Sequence, residues 1–291
     1  MNKVKQILVA IDRSAMAEEA LKRAIHIAKE KKVQLVVMHV IETSFIESPF
    51  VQSLDEKEIE KEIRRRIKKL TSKEDIEYIL FVESGSPAAS ISLKAKNIGA
   101  DLLIIGTHGK EDISSNYFGS TTLKLIQKTH IPVLVVKKEA ESSYKEMLAP
   151  TNLSDYSKKS ILFARSLFDT AALKYLHAYV TIDELQALSY RISVDQQAQF
   201  KKELRGEAQA GLEKFAEEIG TGEMILVGYH ASINEDLLDY IVKDNADLIV
   251  LGSKGVGNLN SFLFGSTASY LVRNSPTDVL VYVPASTESA S

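Results

Sequence analysis

The sequence predicts an α/β protein made of two tandem, open, twisted, parallel five-stranded sheets with helices on both faces. Three observations lead to this prediction. The chain has 291 residues, which is enough for two domains. Short apolar runs alternate with helical periodicity, and this pattern occurs twice. The apolar runs are nearly continuous, which is typical of strands buried on both faces of a parallel sheet.

The internal repeat is clearest in two glycine-rich stretches. Residues 106–122 read GTHGKEDISSNYFGSTT, and residues 252–268 read GSKGVGNLNSFLFGSTA. Three glycines have the same spacing in both stretches, and each lies 146 residues before its match: Gly106, Gly109 and Gly119, then Gly252, Gly255 and Gly265. A period this long indicates two domains, because solenoid units have about 20–50 residues. We predict domains at residues 1–138 and 146–284, joined by a polar linker.

In the first half, apolar runs and helical patterns alternate strictly. The predicted strands are QILVAID, VQLVVMHVIE, IEYILFVES, ADLLIIG and PVLVVK. One helix is expected to begin with Ser86 as N-cap and Pro87 in its first turn. Another carries an apolar stripe of Ile59, Ile63, Ile67 and Leu70. This order predicts a parallel sheet covered by helices.

The second half repeats the same order. Its predicted strands are EMLAPTN, ALKYLHAYV, GEMILVGYH, ADLIVLG and DVLVYVP. Its first helix is expected to start with Ser154 or Asp155 as the cap. A longer helix carries an apolar stripe of Phe200, Leu204, Leu212, Phe215 and Ile219. The two halves are therefore expected to share one fold.

Composition excludes several classes of function. A net charge of −3 provides no basic field for nucleic acid or an anionic membrane. The absence of cysteine excludes thiol catalysis, thiolate metal sites and disulfides. The chain holds no run of about 18 apolar residues, and its first apolar run is too short for a signal peptide. We expect a cytoplasmic protein without nucleic-acid or membrane partners.

Each glycine-rich stretch follows the fourth predicted strand of its half. In an open parallel sheet, ligands bind beyond the carboxyl ends of the strands. Glycines let backbone N–H groups approach an anion, and a helix N-terminus favours phosphate. The residues that follow add hydroxyl donors: Ser120, Thr121 and Thr122, then Ser266 and Thr267. A phosphate site is one interpretation, and a tight turn with ordinary helix caps is the other.

These motifs resemble those of the universal stress protein family, in the branch that binds ATP. The family's phosphate motif is Gly, two residues, Gly, nine residues, Gly and then Ser or Thr, and both stretches match it. ILVAIDRS at the first strand is also similar to the family's sequences. The resemblance implies a Rossmann-like fold, a stress-response role and a homodimer of tandem chains. It also implies ATP, ADP or AMP as the ligand, with or without Mg²⁺.

The resemblance also implies the residues of the first site. Asp12 would face adenine and ribose beside the backbone of Ala10 and Ile11, and Val40 would contact adenine through its backbone. The ribose and phosphates would be held by Gly106, Thr107, Gly109, Gly119, Ser120, Thr121 and Thr122. The alternative for Asp12 is a helix cap.

The second half departs from this pattern at the strand end. Asn152 stands where Asp12 stands in the first half, so we expect an acceptor without the charge. The remaining residues implied for this site are Gly252, Gly255, Gly265, Ser266 and Thr267. Ala178 replaces Val40. The first site is therefore expected to be the better nucleotide site.

The leading hypothesis is an adenine-nucleotide-binding stress or signalling protein whose occupancy modulates assembly or partner binding. A slow ATPase or autophosphorylating enzyme is one alternative, although no general base stands out in the sequence. A scaffold or carrier of a small ligand other than a nucleotide is another. The histidines lack metal-ligand spacing, so no metal site is predicted.

Overall fold

The computed structural model describes residues 3–42, 56–71, 76–107, 120–140, 142–182, 192–253 and 264–283. The chain divides into two compact units, and the division falls between Ser143 and Tyr144. The predicted domain limits, at residues 138 and 146, flank this division. Within the described ranges, no helix combines the length and the apolar character that crossing a membrane requires.

The first unit alternates strands and helices. Its strands are β1 (Gln6–Ile11), β2 (Gln34–Glu42), β3 (Tyr78–Gly85), β4 (Leu102–Gly106) and β5 (Val133–Val136). Its helices are α1 (Ala15–Lys31), α2 (Glu56–Leu70), α3 (Pro87–Ile98) and α4 (Ser120–Lys128). The strands pair in parallel in the order β3-β2-β1-β4-β5. The order reverses between β1 and β4, which is where such sheets open a crevice.

The second unit has the same topology. Its strands are β6 (Glu146–Thr151), β7 (Ala172–Val180), β8 (Glu223–Tyr229), β9 (Leu248–Gly252) and β10 (Asp278–Tyr282). Its described helices are α5 (Asp155–Leu167), α6 (Val194–Ile219), α7 (Ile233–Asp244) and α8 (Ser266–Asn274). The parallel order is β8-β7-β6-β9-β10. The predicted fold class is confirmed.

The central strands are buried on both faces, as their continuous apolar runs predict. Ile7, Leu8 and Val9 of β1 have no exposed surface, and neither has any residue of β5. The edge strand β3 is only partly buried. Each buried aliphatic side chain contributes about 1.5–3 kcal/mol. The buried core therefore fixes the positions of the ends of β1 and β4 beside the crevice.

Serine side chains cap the N-termini of the helices that follow the first strand of each unit. Ser14 Oγ accepts from Ala17 N at 3.1 Å, and Ser154 Oγ accepts from Ser157 N at 3.3 Å. Of the two cap candidates considered for α5, the structure selects Ser154. Ser86 is the N-cap of α3, as predicted, but its side chain makes no capping hydrogen bond. These caps fix where the chain turns from strand to helix beside the crevice.

The long helix α6 differs from the prediction in its first turns. Its buried residues are Ala208, Leu212, Phe215 and Ile219. Phe200 is 42% exposed, so the predicted stripe is correct only in the later part of the helix. A 26-residue helix is about 39 Å long. The nine residues of β7 span about 30 Å, so α6 is longer than the strand on which it packs.

A proline lies in the central strand of the second unit. Pro150 belongs to β6, which pairs with β7 on one side and β9 on the other. Proline has no N–H to donate to a ladder. The register between β6 and β9 ends at Leu148↔Ile249, whereas β1 and β4 pair as far as Ala10↔Ile105. The β6–β9 ladder of the second unit is therefore shorter than the β1–β4 ladder of the first.

Candidate functional site

A cavity of about 380 Å³ lies in the first unit, at the carboxyl ends of β1, β2 and β4. This volume is within the range of about 300–1,000 Å³ that small-molecule sites occupy. Seven predicted residues line it: Ala10, Ile11, Asp12, Val40, Gly106, Thr121 and Thr122. The remaining lining residues come from the same strand ends and from α1, α2, α3 and α4. The structure thus brings together residues that are more than 100 positions apart.

The register of the sheet gives this cavity two ends. Ile11 pairs with His39, so Asp12, which follows β1, lies beside Val40 of β2. On its other side β1 pairs with β4, whose last residue is Gly106. The first turn of α4 also lines the cavity. One end therefore holds a carboxylate, and the other lies next to a helix N-terminus.

Asp12 lies in the turn between β1 and α1. Its Oδ1 accepts a hydrogen bond from Ser14 N at 2.8 Å. Ser14 is the N-cap of α1, so Asp12 is not the helix cap that the alternative interpretation considered. Arg66 of α2 donates through Nη1 to the carbonyl oxygen of Asp12 at 3.3 Å. A carboxylate can accept several hydrogen bonds, so the turn fixes Asp12 without exhausting its capacity to bind a donor.

A buried histidine lies beside this turn. His39 lines the cavity, and its Nδ1 is 2.8 Å from the carbonyl oxygen of Ile11. Because a carbonyl oxygen only accepts, Nδ1 carries the hydrogen. His177 makes the same contact with Thr151 O, at 2.9 Å, in the second unit. The histidine therefore holds the last carbonyl group of each central strand, a role that its spacing in the sequence does not reveal.

Gly106 is required by the packing of α1 on β4. A Cβ atom at this position would lie 2.5 Å from Met16 O and 2.9 Å from Ala17 N. Both atoms belong to the backbone of α1, so no side-chain rotation relieves the clash. At Gly252 the matching contact, with Tyr156 O, is looser, at 3.2 Å. Gly106 is therefore needed for the packing of α1 on β4, which neither the phosphate-site nor the tight-turn interpretation predicted.

Helix α4 forms the other wall of the cavity. It begins at Ser120, and the side chain of Thr122 is 3% exposed. Thr107 is not among the lining residues, and its backbone N–H donates to Val136 O at 3.1 Å. Two predicted residues lie outside the described ranges: Gly109 and Gly119. The described part of the phosphate motif thus contributes one strand end and the start of one helix.

A second cavity, of about 290 Å³, occupies the matching place in the second unit. Five predicted residues line it: Asn152, Gly252, Gly265, Ser266 and Thr267. Gly255 lies outside the described ranges. Where Pro87 and Ile91 of α3 line the first cavity, Ile233 and Leu237 of α7 line the second. The two cavities therefore share their construction and differ in their side chains.

The universal stress protein family model matches residues 3–137 and again residues 143–283. The chain belongs to the universal stress protein family. Universal stress protein MJ0531 of Methanocaldococcus jannaschii is 33% identical to it over 143 residues, which are 47% of this chain and 84% of the relative. A relative of this size therefore aligns with about half of the tandem chain.

Solved universal stress proteins share the fold. One from Archaeoglobus fulgidus has a TM-score of 0.62 and 18% identity, and the match covers 97% of each chain. Another was solved in complex with cAMP, with a TM-score of 0.37 and 20% identity, and the match covers 46% of this chain and 98% of that one. The likeness to the Archaeoglobus fulgidus protein, at 18% identity, concerns the fold alone.

In the second universal stress protein domain, the oxygen of Asn152 is engaged by its own turn. Asn152 Oδ1 accepts from Ser154 N at 3.2 Å and from Ser157 Oγ at 2.8 Å. A backbone N–H can only donate, so it fixes the amide with its oxygen towards the turn. The expected acceptor is present, but both of its described hydrogen bonds lie within the turn. The sequence did not reveal this because Ser157 stands five residues further along the chain.

Gly265 differs from Gly106 because no described residue of the domain requires a glycine there. Its φ is −56°, which any residue adopts, and a Cβ would meet no heavy atom of the described residues within 4 Å. It is the N-cap of α8, and it has no side chain to cap the helix. Gly265 also lines the second cavity. The first N–H groups of α8 therefore lie beside the cavity without a capping hydroxyl.

Replacing Gly265 with serine is expected to stabilise the second domain and to weaken anion binding there. A serine N-cap would add about 0.5–1 kcal/mol through its capping bond and the lower entropy of the unfolded chain. The same hydroxyl would compete with a ligand for the helix N–H groups. Thermal unfolding and titration with inorganic triphosphate measure the two effects. Gly265→Ala, which lacks the hydroxyl, is the control, and a fall in stability with serine would contradict the cap geometry.

The apolar walls of the first cavity were not predicted as part of the site. Ile59 of α2 and Ile91 of α3 line it, and they are 5% and 6% exposed. Ile59 belongs to the predicted apolar stripe of α2, which is confirmed as far as Ile67. Periodicity marks such residues as core. It cannot show that one of them also faces a cavity.

Proposed function

We propose that the first cavity binds an adenine nucleotide and that its occupancy modulates assembly or partner binding. The observation that carries this proposal is the convergence of Asp12, the end of β4 and the start of α4 on one cavity. Each of these features suits a different part of a nucleotide. The chain would act as a cytoplasmic nucleotide-dependent protein and pair with a second copy of itself.

The end of the cavity beside β2 suits a base or a ribose. Asp12 carries a carboxylate that can accept from an amino group or a hydroxyl. Val40 lies in β2 beside Asp12, and its backbone offers polar groups at the same edge of the sheet. Ile59 and Ile91 supply apolar surface against which a flat ring can pack. An adenine base presents an amino group and such a flat face, which supports this assignment.

The end beside β4 suits phosphate. The N-terminus of α4 carries a partial positive charge and N–H groups that have no partner within the helix. Thr121 and Thr122 line the cavity in this first turn. Anions bind readily at helix N-termini for these reasons. A triphosphate with or without Mg²⁺, or a diphosphate or monophosphate, would thus lie between β4 and α4.

The test is direct binding by the purified full-length chain. We expect ATP, ADP or AMP to be released when freshly purified protein is denatured, as measured by mass spectrometry. We also expect titration calorimetry to detect ATP binding, and Asp12→Ala to weaken it about tenfold through loss of a charge-assisted hydrogen bond. Asp195→Ala, which removes an exposed carboxylate from the first turn of α6, is the matched control.

Two results would contradict the proposal. The first is a protein that retains no nucleotide and binds none of the three in calorimetry. The second is equal loss of affinity in the Asp12 and Asp195 variants, since general electrostatics would then explain both. The regulatory part has its own measurement. Sedimentation with and without ATP should show a different mass or a different shape, and identical profiles would remove the proposed effect on assembly.

A further inference from the structure

The two domains differ in the group that their strand-end side chain can offer to a ligand. In the first, Asp12 Oδ1 accepts a hydrogen bond from Ser14 N, and position 17 is an alanine. In the second, Asn152 Oδ1 accepts two, from Ser154 N and Ser157 Oγ. A carbonyl oxygen has two lone pairs, so this oxygen is fully used. The part of Asn152 left for a ligand is its NH₂ group, which only donates.

Ser157 supplies the second hydrogen bond to the Asn152 oxygen. Its side chain is buried, 6% exposed, and lines the second cavity next to Asn152. Alanine occupies the matching place in α1, Ala17, and no hydroxyl reaches Asp12 from there. The change from Asp12 to Asn152 and the change from Ala17 to Ser157 therefore act on the same group. The first domain presents an acceptor at the strand end, and the second presents a donor.

A second difference lies in the preceding strand. Pro150 lines the second cavity where Ala10 lines the first, so a proline ring takes the place of a methyl group. The cavity is also smaller, about 290 Å³ against about 380 Å³, and Ile233 stands where Pro87 stands in the first domain. The start of α8 still lines it, as the start of α4 lines the first. The phosphate end is therefore retained while the base end has changed.

We propose that Asn152 and Ser157 determine the specificity of the second cavity and that it prefers a 6-oxopurine nucleotide to an adenine nucleotide. This inference rests on the proposed function, because it assumes that the matching cavity of the first domain holds a base beside Asp12. Adenine presents an amino group at C6, which donates and suits a carboxylate. Hypoxanthine and guanine present a carbonyl oxygen at C6, which accepts and suits the Asn152 amide.

The experiment compares ATP with inosine triphosphate, which replaces the amino group at C6 with a carbonyl group and carries hydrogen on N1. Binding is measured by calorimetry in full-length Thr121→Trp, in which an indole fills the first cavity. We expect inosine triphosphate to bind the second cavity at least about tenfold more tightly than ATP, the ratio that exchanging a matched for a mismatched hydrogen bond gives. In the same background, Asn152→Asp with Ser157→Ala should reverse this preference.

The reciprocal exchange tests the first cavity. In a Thr267→Trp background, Asp12→Asn with Ala17→Ser should move the first cavity from ATP towards inosine triphosphate. Ser157→Ala alone frees one lone pair on Asn152 and should narrow the preference of the second cavity without a change of charge. This single variant also serves if a double variant fails to fold, as judged by circular dichroism.

The outcomes separate the two proposals. If the second cavity prefers ATP, shows no preference or binds neither nucleotide while the first cavity binds ATP, this inference is wrong and the proposed function stands. A preference for inosine triphosphate that Ser157→Ala and the double exchange leave unchanged would also overturn it. If neither cavity binds either nucleotide, both proposals fail.

Discussion

Replacing Thr121 with tryptophan is expected to lower the affinity of the first cavity for ATP at least about a hundredfold. Thr121 lines the cavity in the first turn of α4, so the indole would occupy the space proposed for the phosphates. A hundredfold loss corresponds to about 2.7 kcal/mol. The helix itself should tolerate the change, because threonine and tryptophan differ little in helix propensity. Calorimetry with ATP measures the affinity, and the unfolding midpoint checks the fold.

Two further variants separate the effect of the added side-chain volume from the effect of the lost hydroxyl group. Thr267 occupies the matching position at the start of α8 and lines the second cavity. Thr267→Trp should therefore leave the first cavity's affinity for ATP within about twofold of the wild-type value. Thr121→Val removes the hydroxyl and keeps the shape, so only the roughly fivefold to tenfold loss of one hydrogen bond is expected. Tight ATP binding by Thr121→Trp would place the nucleotide elsewhere on the chain.

Replacing Gly106 with alanine is expected to destabilise the first domain by about 1–3 kcal/mol or more, the cost of overpacking a rigid site. The new Cβ would lie 2.5 Å from Met16 O. At both Gly106 and Gly252, the atom that an added Cβ would meet belongs to the backbone of a helix. Gly252→Ala, with its nearest contact at 3.2 Å, should cost less, about 1 kcal/mol. Scanning calorimetry of the full chain measures both variants.

Gly106 and Gly252 together distinguish a role in packing from a role in phosphate binding. Both stand at the same position of the motif, so a role in phosphate binding alone would predict similar effects on affinity and little on stability. The packing contacts predict unequal effects on stability, larger at Gly106. Equal unfolding temperatures for the two alanine variants would contradict this explanation. Affinity should then be measured only with variants that still fold, which is why Thr121 is the better residue for testing the ligand.

The sequence was most informative where one residue type serves one physical purpose. Continuous apolar runs predicted the buried strands, because only a doubly covered parallel sheet buries both faces of β1. The repeated glycines and hydroxyl residues predicted the position of both cavities. Serine at position 154 and apolar periodicity in α2 predicted local elements correctly. These patterns depend on neighbours in the chain, which a reader of the sequence can see.

The sequence was least informative where a role depends on a contact across the fold. Gly106 is needed because the first turn of α1 lies against it, about 90 residues earlier in the chain. His39 holds the end of β1 through a bond that requires the register between β1 and β2. The engagement of the Asn152 acceptor within its turn required the direction of the Ser157 hydroxyl. The contacts of Gly106 and His39 join distant parts of the chain, so no short motif could contain them, and the Asn152 contact depends on the direction of a side chain.

Pro150 shows where a duplicated domain can diverge at low cost. A proline deeper in β6 would remove a ladder bond inside the core, which proteins rarely tolerate. At the penultimate position of the strand, the ladder is about to end and the chain is about to enter the turn. The same short segment carries the side chains that face a ligand. Two copies of one domain can therefore acquire different chemistry at the mouth of the crevice while the sheet beneath it stays the same.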